Sequence, residues 1–268
     1  MSNILDTIVA RKKEELQEAK QLRPLSMLQQ MPAYSLPTVS AAERIKNSAK
    51  PAVITEFKRR SPSKGWIKQD AAISDIVPGY CSEGAAAISV LTDTDFFGGS
   101  LTDLTLAAAK VNCPLLRKDF TIDGYQLHEA RAFGADLILL IAAILNPLQV
   151  QELAAEAKSI GLEVLLELHA EEELAHVCDE VDMVGINNRN LKNFAVDLDH
   201  SIRMANMLPA NKLRIAESGI HSAEAAVYLA SQGFDGFLIG EYFMKQDNPA
   251  IAFAGFKQAF QQQVTNTL

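Results

Sequence analysis

The sequence feature that most constrains the fold is a repeated passage from a helical stretch, through a glycine, into a short apolar run. It occurs at Gly84, Gly134, Gly161 and Gly233, and each glycine suits the left-handed backbone position that closes a helix. Successive glycines are 50, 27 and 72 residues apart, close to two, one and three units of about 25 residues. This spacing predicts a chain built from repeated strand–helix units.

Further apolar runs fill the remaining places in the repeat and bring the predicted strands to eight. Their predicted bounds are 51–57, 86–91, 114–117, 137–141, 163–168, 183–187, 213–217 and 236–240. Eight short strands alternating with helical stretches predict an α/β protein, a single (β/α)8 TIM barrel. An open doubly wound sheet is the alternative, but the Gly-x-Gly-x-x-Gly loop that would favour it is absent after the first strand. Pro78 lies inside the predicted first barrel helix, 73–83, and is expected to kink or shorten it.

Residues 1–50 are predicted to form an N-terminal helical extension packed on the barrel domain of residues 51–268. The first helix has apolar side chains near one face and charged side chains mostly elsewhere. The apolar set is Leu5, Val9, Leu16 and Ala19, and the charged set is Arg11, Lys12, Glu14 and Glu15. Ser40-x-x-Glu43 predicts the start of a second short helix that ends near Lys50. We expect the extension to pack near the barrel rim, where its deletion would weaken substrate binding.

Composition limits the kind of partner the chain can have. Of 268 residues, 48% are hydrophobic and 22% charged, and no apolar run approaches the ~20 residues that span a bilayer. The N-terminus lacks a secretory signal pattern, and Cys81, Cys113 and Cys178 are typical of reduced thiols, so we expect a cytoplasmic protein. The net charge of −8 argues against nucleic acid and anionic membranes, although a local basic cleft can still bind a small anion.

Polar and charged residues concentrate just after the predicted strands, at the edge where barrel enzymes keep their chemistry. Glu56 and Lys58 are two residues apart, so on an extended chain they point the same way, and a basic loop containing Ser61 follows. An acid and a base at a buried strand end indicate acid–base chemistry at an anion site, although a structural ion pair has the same signature. The later strand ends contribute Phe97, Lys118, Phe120, Glu167, Asn187, Arg189 and Glu217.

Several of these residues permit more than one interpretation. Lys58 and Lys118 could be solvated charges, a Schiff-base nucleophile, or proton donors tuned by Glu56. Glu167 could be a general base or the structural partner of a barrel lysine. Phe97 and Phe120 could wall a planar substrate or pack beneath a loop.

The last two strand ends predict a phosphate site. Ser218-Gly219 precedes one helix and Gly240-Glu241 precedes a short turn, with Ser61 across the barrel seam. Glycine lets the backbone approach an anion, and amides at a helix start face it. Metal binding is not expected, because the five histidines (128, 169, 176, 200 and 221) show no ligand spacing and Cys178, near His176, has no second cluster.

Seven short motifs in this order resemble the indole-3-glycerol phosphate synthase family of tryptophan biosynthesis. They are Glu56-Phe-Lys-Arg-Arg-Ser-Pro-Ser-Lys-Gly65, Ser89-Val-Leu-Thr-Asp93, Phe97-Gly-Gly-Ser100, Leu116-Arg-Lys-Asp-Phe120, Gly185-Ile-Asn-Asn-Arg189, Ala216-Glu-Ser-Gly-Ile220 and Leu238-Ile-Gly240. Each motif is short, but together, at these strand ends and over nearly the whole chain, they are specific. The single barrel is similar to the monofunctional form of the family.

The resemblance implies a substrate, 1-(2-carboxyphenylamino)-1-deoxyribulose 5-phosphate, and a reaction without cofactor or metal. It implies Lys118 as the ring-closure acid, Glu167 as the base, Lys58 as the partner of the anthranilate carboxylate and a second proton donor, and Glu56 as the residue that holds the lysines. The other implied contacts are Asn187, Arg189 and Glu217 for sugar hydroxyls, Phe97 and Phe120 for the aromatic ring, and Ser61, Ser218, Gly219 and Gly240 for phosphate. Glu241 stands where some members have Ser, so any phosphate contact there would use the backbone amide. How the two lysines divide the acid steps stays open.

Two other functions remain as alternatives. A phosphosugar aldolase or isomerase barrel would use a rim lysine, and borohydride would trap a Schiff base in the aldolase case. A binding protein on a barrel scaffold would be expected to lose the charged residues of the rim. We expect a monomer that binds a small phosphorylated molecule, with weak association with other tryptophan-pathway enzymes left open.

Overall fold

The computed structural model describes residues 4–48, 51–189 and 196–267, and its core is a closed barrel of eight parallel strands. The strands are β1 (Ala52–Phe57), β2 (Ala87–Leu91), β3 (Leu115–Lys118), β4 (Leu137–Ile141), β5 (Glu163–Leu168), β6 (Met183–Asn187), β7 (Leu213–Glu217) and β8 (Gly236–Ile239). Each strand pairs with the next, and β8 pairs with β1. The predicted (β/α)8 barrel is confirmed, and the open doubly wound sheet is excluded.

Strand bounds follow the predicted ones closely. Four strands, β4 to β7, coincide with their predicted ranges. β1, β2 and β8 differ by one residue at one end, and β3 is shifted by one residue at both ends. The match arises because each apolar run is buried on both faces, against the barrel interior and against the helices.

Helices precede the barrel and connect its strands. They are α1 (Ile4–Leu22), α2 (Leu25–Leu28), α3 (Ala41–Asn47), α4 (Ile73–Ser82), α5 (Leu101–Ala108), α6 (Gly124–Ala132), α7 (Pro147–Ser159), α8 (Leu198–Met207), α9 (Ala223–Ser231), α10 (Glu241–Met244) and α11 (Pro249–Thr267). Short 3-10 helices span Pro32–Ser35, Ala142–Ile144 and Glu171–His176, and the last of these follows β5. Within the described residues, no helix combines the length and the apolar character needed to cross a membrane.

The helix-ending glycines and Pro78 were expected to shape the backbone locally. The glycines at 84, 134, 161 and 233 have φ values of 80°, 91°, 82° and 90°, so the left-handed positions that they were expected to fill are confirmed. α4 continues through Pro78 to Ser82, so the proline does not shorten this helix.

Side chains along each strand point alternately into the barrel and toward the helices, and this alternation separates the core from the site. Ala52 and Ile54 of β1 belong to the buried cluster inside the barrel, whereas Val53 and Phe57 pack in a second cluster between the sheet and the helices. Interior positions on other strands include Leu116, Leu165, Ile215 and Leu238. Two residues beyond interior positions come Glu56, Lys118, Glu167 and Glu217. The apolar interior therefore forms the floor on which a polar layer stands.

The extension packs differently from the predicted helical face. The buried positions of α1 are Leu5, Ile8, Lys12 and Leu16. Val9, predicted near the apolar face, is half-buried. Lys12, grouped with the charged residues mostly away from that face, is buried on it. Ile8 lies on the same face of the helix as Leu5 and Lys12, because it is three residues after the first and four before the second. Leu16 and Leu28 then pack on α6 with Tyr125.

α3, the second helix predicted for the extension, lies at the amino ends of the barrel strands, opposite the end where the polar layer stands. Glu163, the first residue of β5, accepts hydrogen bonds from the amides of Ala41 and Ala42 at 2.8 and 3.0 Å. Ser40 caps α3 by accepting from the amide of Glu43 at 3.0 Å, as predicted. The helix ends at Asn47 rather than near Lys50, because Ser48 is extended; residues 49–50 lie outside the described part of the chain, as do residues 1–3.

Candidate active site

A lysine between two buried carboxylates forms the centre of the site. Lys118 Nζ lies 3.0 Å from Glu217 Oε2 and 3.2 Å from Glu167 Oε2. β3, β7 and β5 supply the three residues at their carboxyl ends. The side chains are only 16%, 2% and 8% exposed, so their charges interact in a medium of low polarity.

The charges of this cluster set its protonation states. Burial opposes the charged form of Lys118, but Glu217, Glu167 and Glu56 outweigh burial and raise the pKa of the ammonium. Burial also acts on Glu167, where Lys118 and His169 outweigh it and hold the pKa of the carboxyl well below its usual range. For Glu217, burial and the charge of Glu167 prevail over Lys118 and raise the pKa to about 7. The cluster thus combines a charged acid, an ionised base and a carboxyl that can hold a proton near neutral pH.

Glu167 has two further neighbours. His169 Nε2 lies 3.0 Å from Glu167 Oε1, and Asn187 Nδ2 donates to the same oxygen at 2.9 Å. Burial opposes the charged form of the imidazole, but Glu167 outweighs it, so the pKa of His169 is raised. His169 was not among the predicted site residues, although its position two residues after Glu167 indicates that both side chains point the same way.

Glu56 and Lys58, the acid and base predicted at the end of β1, form an ion pair. Lys58 Nζ lies 2.5 Å from Glu56 Oε1, and the two side chains are largely buried. Gly240 stands against Glu56, and a Cβ at that position would overlap with the carboxylate. Glycine is therefore required at 240 by the neighbouring strand, in addition to any contact with a ligand.

Asn187 and Arg189 form a chain of contacts that leads from Glu167 to the loops around the pocket. Asn187 Oδ1 accepts from the backbone amide of Arg189 at 3.0 Å. The Arg189 guanidinium lies 3.9 Å from Glu241 Oε2 and 3.5 Å from Ser63 Oγ. Arg189 thereby reaches toward the loops that follow β8 and β1.

The end of β7 contains two consecutive residues in the left-handed region. Ser218 and Gly219 have φ values of 65° and 69°, and the first is the only such non-glycine in the described part of the chain. Asn188 holds this turn, since its Nδ2 donates to Ser218 O at 2.7 Å and its backbone amide donates to Glu217 O at 2.8 Å. Ser61, on the other side, is buried, and its Oγ has no hydrogen-bond partner among the described residues.

Aromatic side chains form another wall. The rings of Phe97 and Phe120 are 6.0 Å apart between centroids and tilted by 41°. Ile4, Leu5 and Ile8 of α1 line the same pocket, so the extension covers its aromatic side. A planar apolar group can enter between these surfaces.

One pocket gathers every predicted site residue. Its lining includes Glu56, Lys58, Ser61, Phe97, Lys118, Phe120, Glu167, Asn187, Arg189, Glu217, Ser218, Gly219 and Gly240. The pocket also has an apolar lining that was not predicted, because its residues have the same sequence pattern as core residues: Leu91, Leu139, Ile141 and Leu238. Across the described residues, no three His, Cys, Asp or Glu side chains are grouped to hold a metal ion.

The fold and the site together define a class, an enzyme with acid–base residues at the carboxyl ends of the strands of a (β/α)8 barrel. Solved structures share the fold. The 3-hexulose-6-phosphate synthase of Salmonella typhimurium has a TM-score of 0.62 at 15% identity, covering 79% of this chain and 99% of that one. A thiamine phosphate pyrophosphorylase from Pyrococcus furiosus has a TM-score of 0.60 at 13% identity, covering 83% and 98%.

Sequence comparison identifies the family within this class. The family model of indole-3-glycerol phosphate synthase matches residues 5–254. The indole-3-glycerol phosphate synthase of Bacteroides thetaiotaomicron is 47% identical over 97% of this chain and 100% of its own length. That of Albidiferax ferrireducens is 43% identical over 95% and 98%. The chain belongs to the indole-3-glycerol phosphate synthase family, the carboxy-lyases of tryptophan biosynthesis, which act on a phosphorylated small molecule.

Proposed function

We propose that this protein converts 1-(2-carboxyphenylamino)-1-deoxyribulose 5-phosphate into indole-3-glycerol phosphate, carbon dioxide and water. The observation that carries the proposal is the position of Lys118, a charged ammonium between Glu167 and Glu217 inside the pocket. Attack of the aryl ring on the ketone places negative charge on the ketone oxygen, and a nearby ammonium stabilises and protonates it. Lys118 is therefore the proposed acid of ring closure.

Glu167 is the proposed base. Loss of carbon dioxide and water must end with removal of a proton as aromaticity is regained. The low pKa of Glu167 keeps it ionised, and its contacts with His169 and Asn187 hold it in one orientation. A base that is ionised across the neutral range is available in every catalytic cycle.

Lys58 and Glu56 are proposed to act on the other side of the reacting centre. Lys58 pairs with the substrate carboxylate until decarboxylation and then donates the proton that lets the hydroxyl leave as water. Glu56, 2% exposed and 2.5 Å from Lys58, holds the ammonium in place. Because Glu56 stays in contact with Lys58, the substrate carboxylate is proposed to approach the ammonium as a second anionic partner rather than to replace Glu56.

The remaining residues are proposed to bind the substrate. The unpartnered hydroxyl of Ser61 and the amides of Gly219 and Gly240 receive the phosphate, with Ser218 in the same turn. Asn187, Arg189 and Glu217 bind the sugar hydroxyls, while Phe97 and Phe120 enclose the aromatic ring. The carboxylate of Glu241 faces the guanidinium of Arg189, which leaves the phosphate to the backbone amide there.

The protonation of Lys118 argues against Schiff-base chemistry. A lysine nucleophile must lose its proton, and the three surrounding carboxylates oppose that loss. We therefore expect borohydride to trap no adduct when substrate is present. A cytoplasmic setting is proposed because all three cysteines are free, as is typical of a reducing compartment, and a monomer remains the proposed oligomeric state.

The test is the growth of indole fluorescence after addition of the carboxyphenylamino substrate. Wild type should produce it, and Lys118→Ala should lose about 10²- to 10⁴-fold in kcat, the range expected for a missing general acid. Lys110→Ala, an exposed lysine at the end of α5, is the control and should match wild type.

Two results would redirect the proposal. Fluorescence that survives in Lys118→Ala would keep the reaction and transfer the ring-closure role to Lys58. A folded wild-type protein without fluorescence growth would refute the proposed function, and a borohydride adduct would then favour the aldolase.

A further inference from the structure

One lysine of the extension is buried beneath the rim. Lys12 is 4% exposed, whereas Lys13 beside it on α1 is exposed. Its Nζ lies 2.9 Å from Asp119 Oδ1, 3.1 Å from Asp93 Oδ2 and 2.7 Å from Glu15 Oε2. A buried ammonium with three carboxylate partners is an unusual use of a residue from an amphipathic helix.

The two aspartates hold the loops that carry the aromatic wall. Asp93 Oδ1 accepts from the backbone amides of Phe96 and Phe97 at 2.8 and 3.2 Å. Asp119 Oδ1 accepts from the amide of Phe120 at 2.8 Å. Lys12 thus bridges the two carboxylates that fix the main chain at both rings of the pocket.

The charges make this bridge necessary. The side chains of Asp93 and Asp119 are 0% and 3% exposed, so without a cation between them two buried negative charges would repel. Arg117 supports Asp119 at 3.3 Å, but among the described residues Lys12 is the cation that reaches Asp93. Loss of Lys12 would therefore act first on the loop that carries Phe97.

We propose that Lys12 is a positioning residue that sets the separation of Phe97 and Phe120 and thereby the fit of the substrate's aromatic ring. The proposal rests on the proposed function, which makes these rings the aryl pocket. Lys12 touches neither ring nor reacting atom; it acts through Asp93 and Asp119. The phosphate end of the pocket, at Ser61, Gly219 and Gly240, is built from other strands and should not respond.

The test compares Lys12→Met with Lys13→Met, which makes the same change at the exposed neighbouring position. For Lys12→Met we expect KM to rise about tenfold or more, the effect of misplacing a binding group, with kcat changed less than about threefold. Inhibition by inorganic phosphate should be unchanged, since that probe has no ring. Lys12→Arg should recover part of the loss, because it restores charge but not the geometry of an ammonium.

A double-mutant cycle makes the test specific. Phe97→Ala removes the ring through which Lys12 is argued to act, so adding Lys12→Met to Phe97→Ala should raise KM by less than about threefold. Additive losses would overturn the proposal, as would a parallel change in phosphate inhibition or a loss confined to kcat. If Lys12→Met does not fold, Lys12→Gln is judged by the same criteria.

The activity of the wild-type protein distinguishes a failure of the proposed function from a failure of the proposed role of Lys12. A wild-type protein that does not turn over substrate would refute the proposed function. Turnover by wild type together with an unchanged KM in folded Lys12→Met would refute the role of Lys12 alone.

Discussion

At the scale of single residues, two glutamates of the site have pKa values shifted in opposite directions. Glu167 and Glu217 both contact Lys118, yet the pKa of the first is depressed and that of the second is raised to about 7. The difference arises because His169 and Asn187 add to the stabilisation of Glu167, while Glu217 faces the charge of Glu167 in a buried position. Since the two carboxyls share one ammonium, they titrate as a coupled pair.

His169→Gln tests how far the histidine maintains the base. Removing the imidazole removes a positive charge 3.0 Å from Glu167, so the pKa of Glu167 should rise toward its usual value. A base must be deprotonated to act, and therefore the acid limb of the pH profile of kcat should move to higher pH, by about one unit. His128→Gln, on α6 beside Tyr34, is the control. An acid limb at the wild-type pH in His169→Gln would show that Lys118 and Asn187 set the protonation state of Glu167 without the histidine.

At the scale of elements, neighbouring strands constrain each other through the residues that face the barrel mouth. Gly185 of β6 lies beside Glu217 of β7, and an added Cβ would overlap with that carboxylate and approach Leu165. The glycine of β6 therefore makes room for a site residue of β7. The sequence motif Gly-Ile-Asn-Asn-Arg did not reveal this role, because the contact is between strands.

Gly185→Ala should lower both activity and stability. We expect a destabilisation of about 1–3 kcal/mol from overpacking, with displacement of Glu217 from Lys118. Gly255→Ala is the matched control, since a Cβ there meets nothing within 4 Å and a helix interior favours alanine by about 0.5–1 kcal/mol. Denaturant unfolding and the fluorescence assay measure both effects; a Gly185→Ala protein as stable and active as wild type would contradict the packing argument.

The extension is the other element with a functional consequence. Ile4, Leu5 and Ile8 of α1 line the pocket, which supports the expectation that removing the helix weakens substrate binding. A protein lacking residues 1–22 should show a KM raised about tenfold or more, as apolar contact area is lost and Asp93 loses its cation. The comparison requires a truncated protein that still unfolds in a single cooperative transition in denaturant. An unchanged KM in such a protein would refute the expectation.

At the scale of the whole molecule, local patterns predicted most of the architecture. Apolar runs, four of them after helix-ending glycines, predicted all eight strands to within a residue at each end. The thirteen predicted site residues line one pocket. The unpredicted features depend on partners distant in sequence. A lysine such as Lys12 in an amphipathic helix is ordinarily solvated, and the acidic groups that bury it lie about 80 and 107 residues further on. Likewise, Leu139 and Leu238 have the same pattern as core residues, so their exposure to the pocket emerges only from barrel closure.

The position of α1 also decides how the protein can be attached to a surface. Because Ile4 lines the pocket, we expect a tag or support joined ahead of α1 to interfere with substrate entry. α11 instead packs against α4 and α9 on the outer flank of the barrel. Since no described residue of α11 lines the site pocket, we expect immobilisation through α11 to obstruct substrate less, which is the orientation to choose for a biosensor or flow reactor.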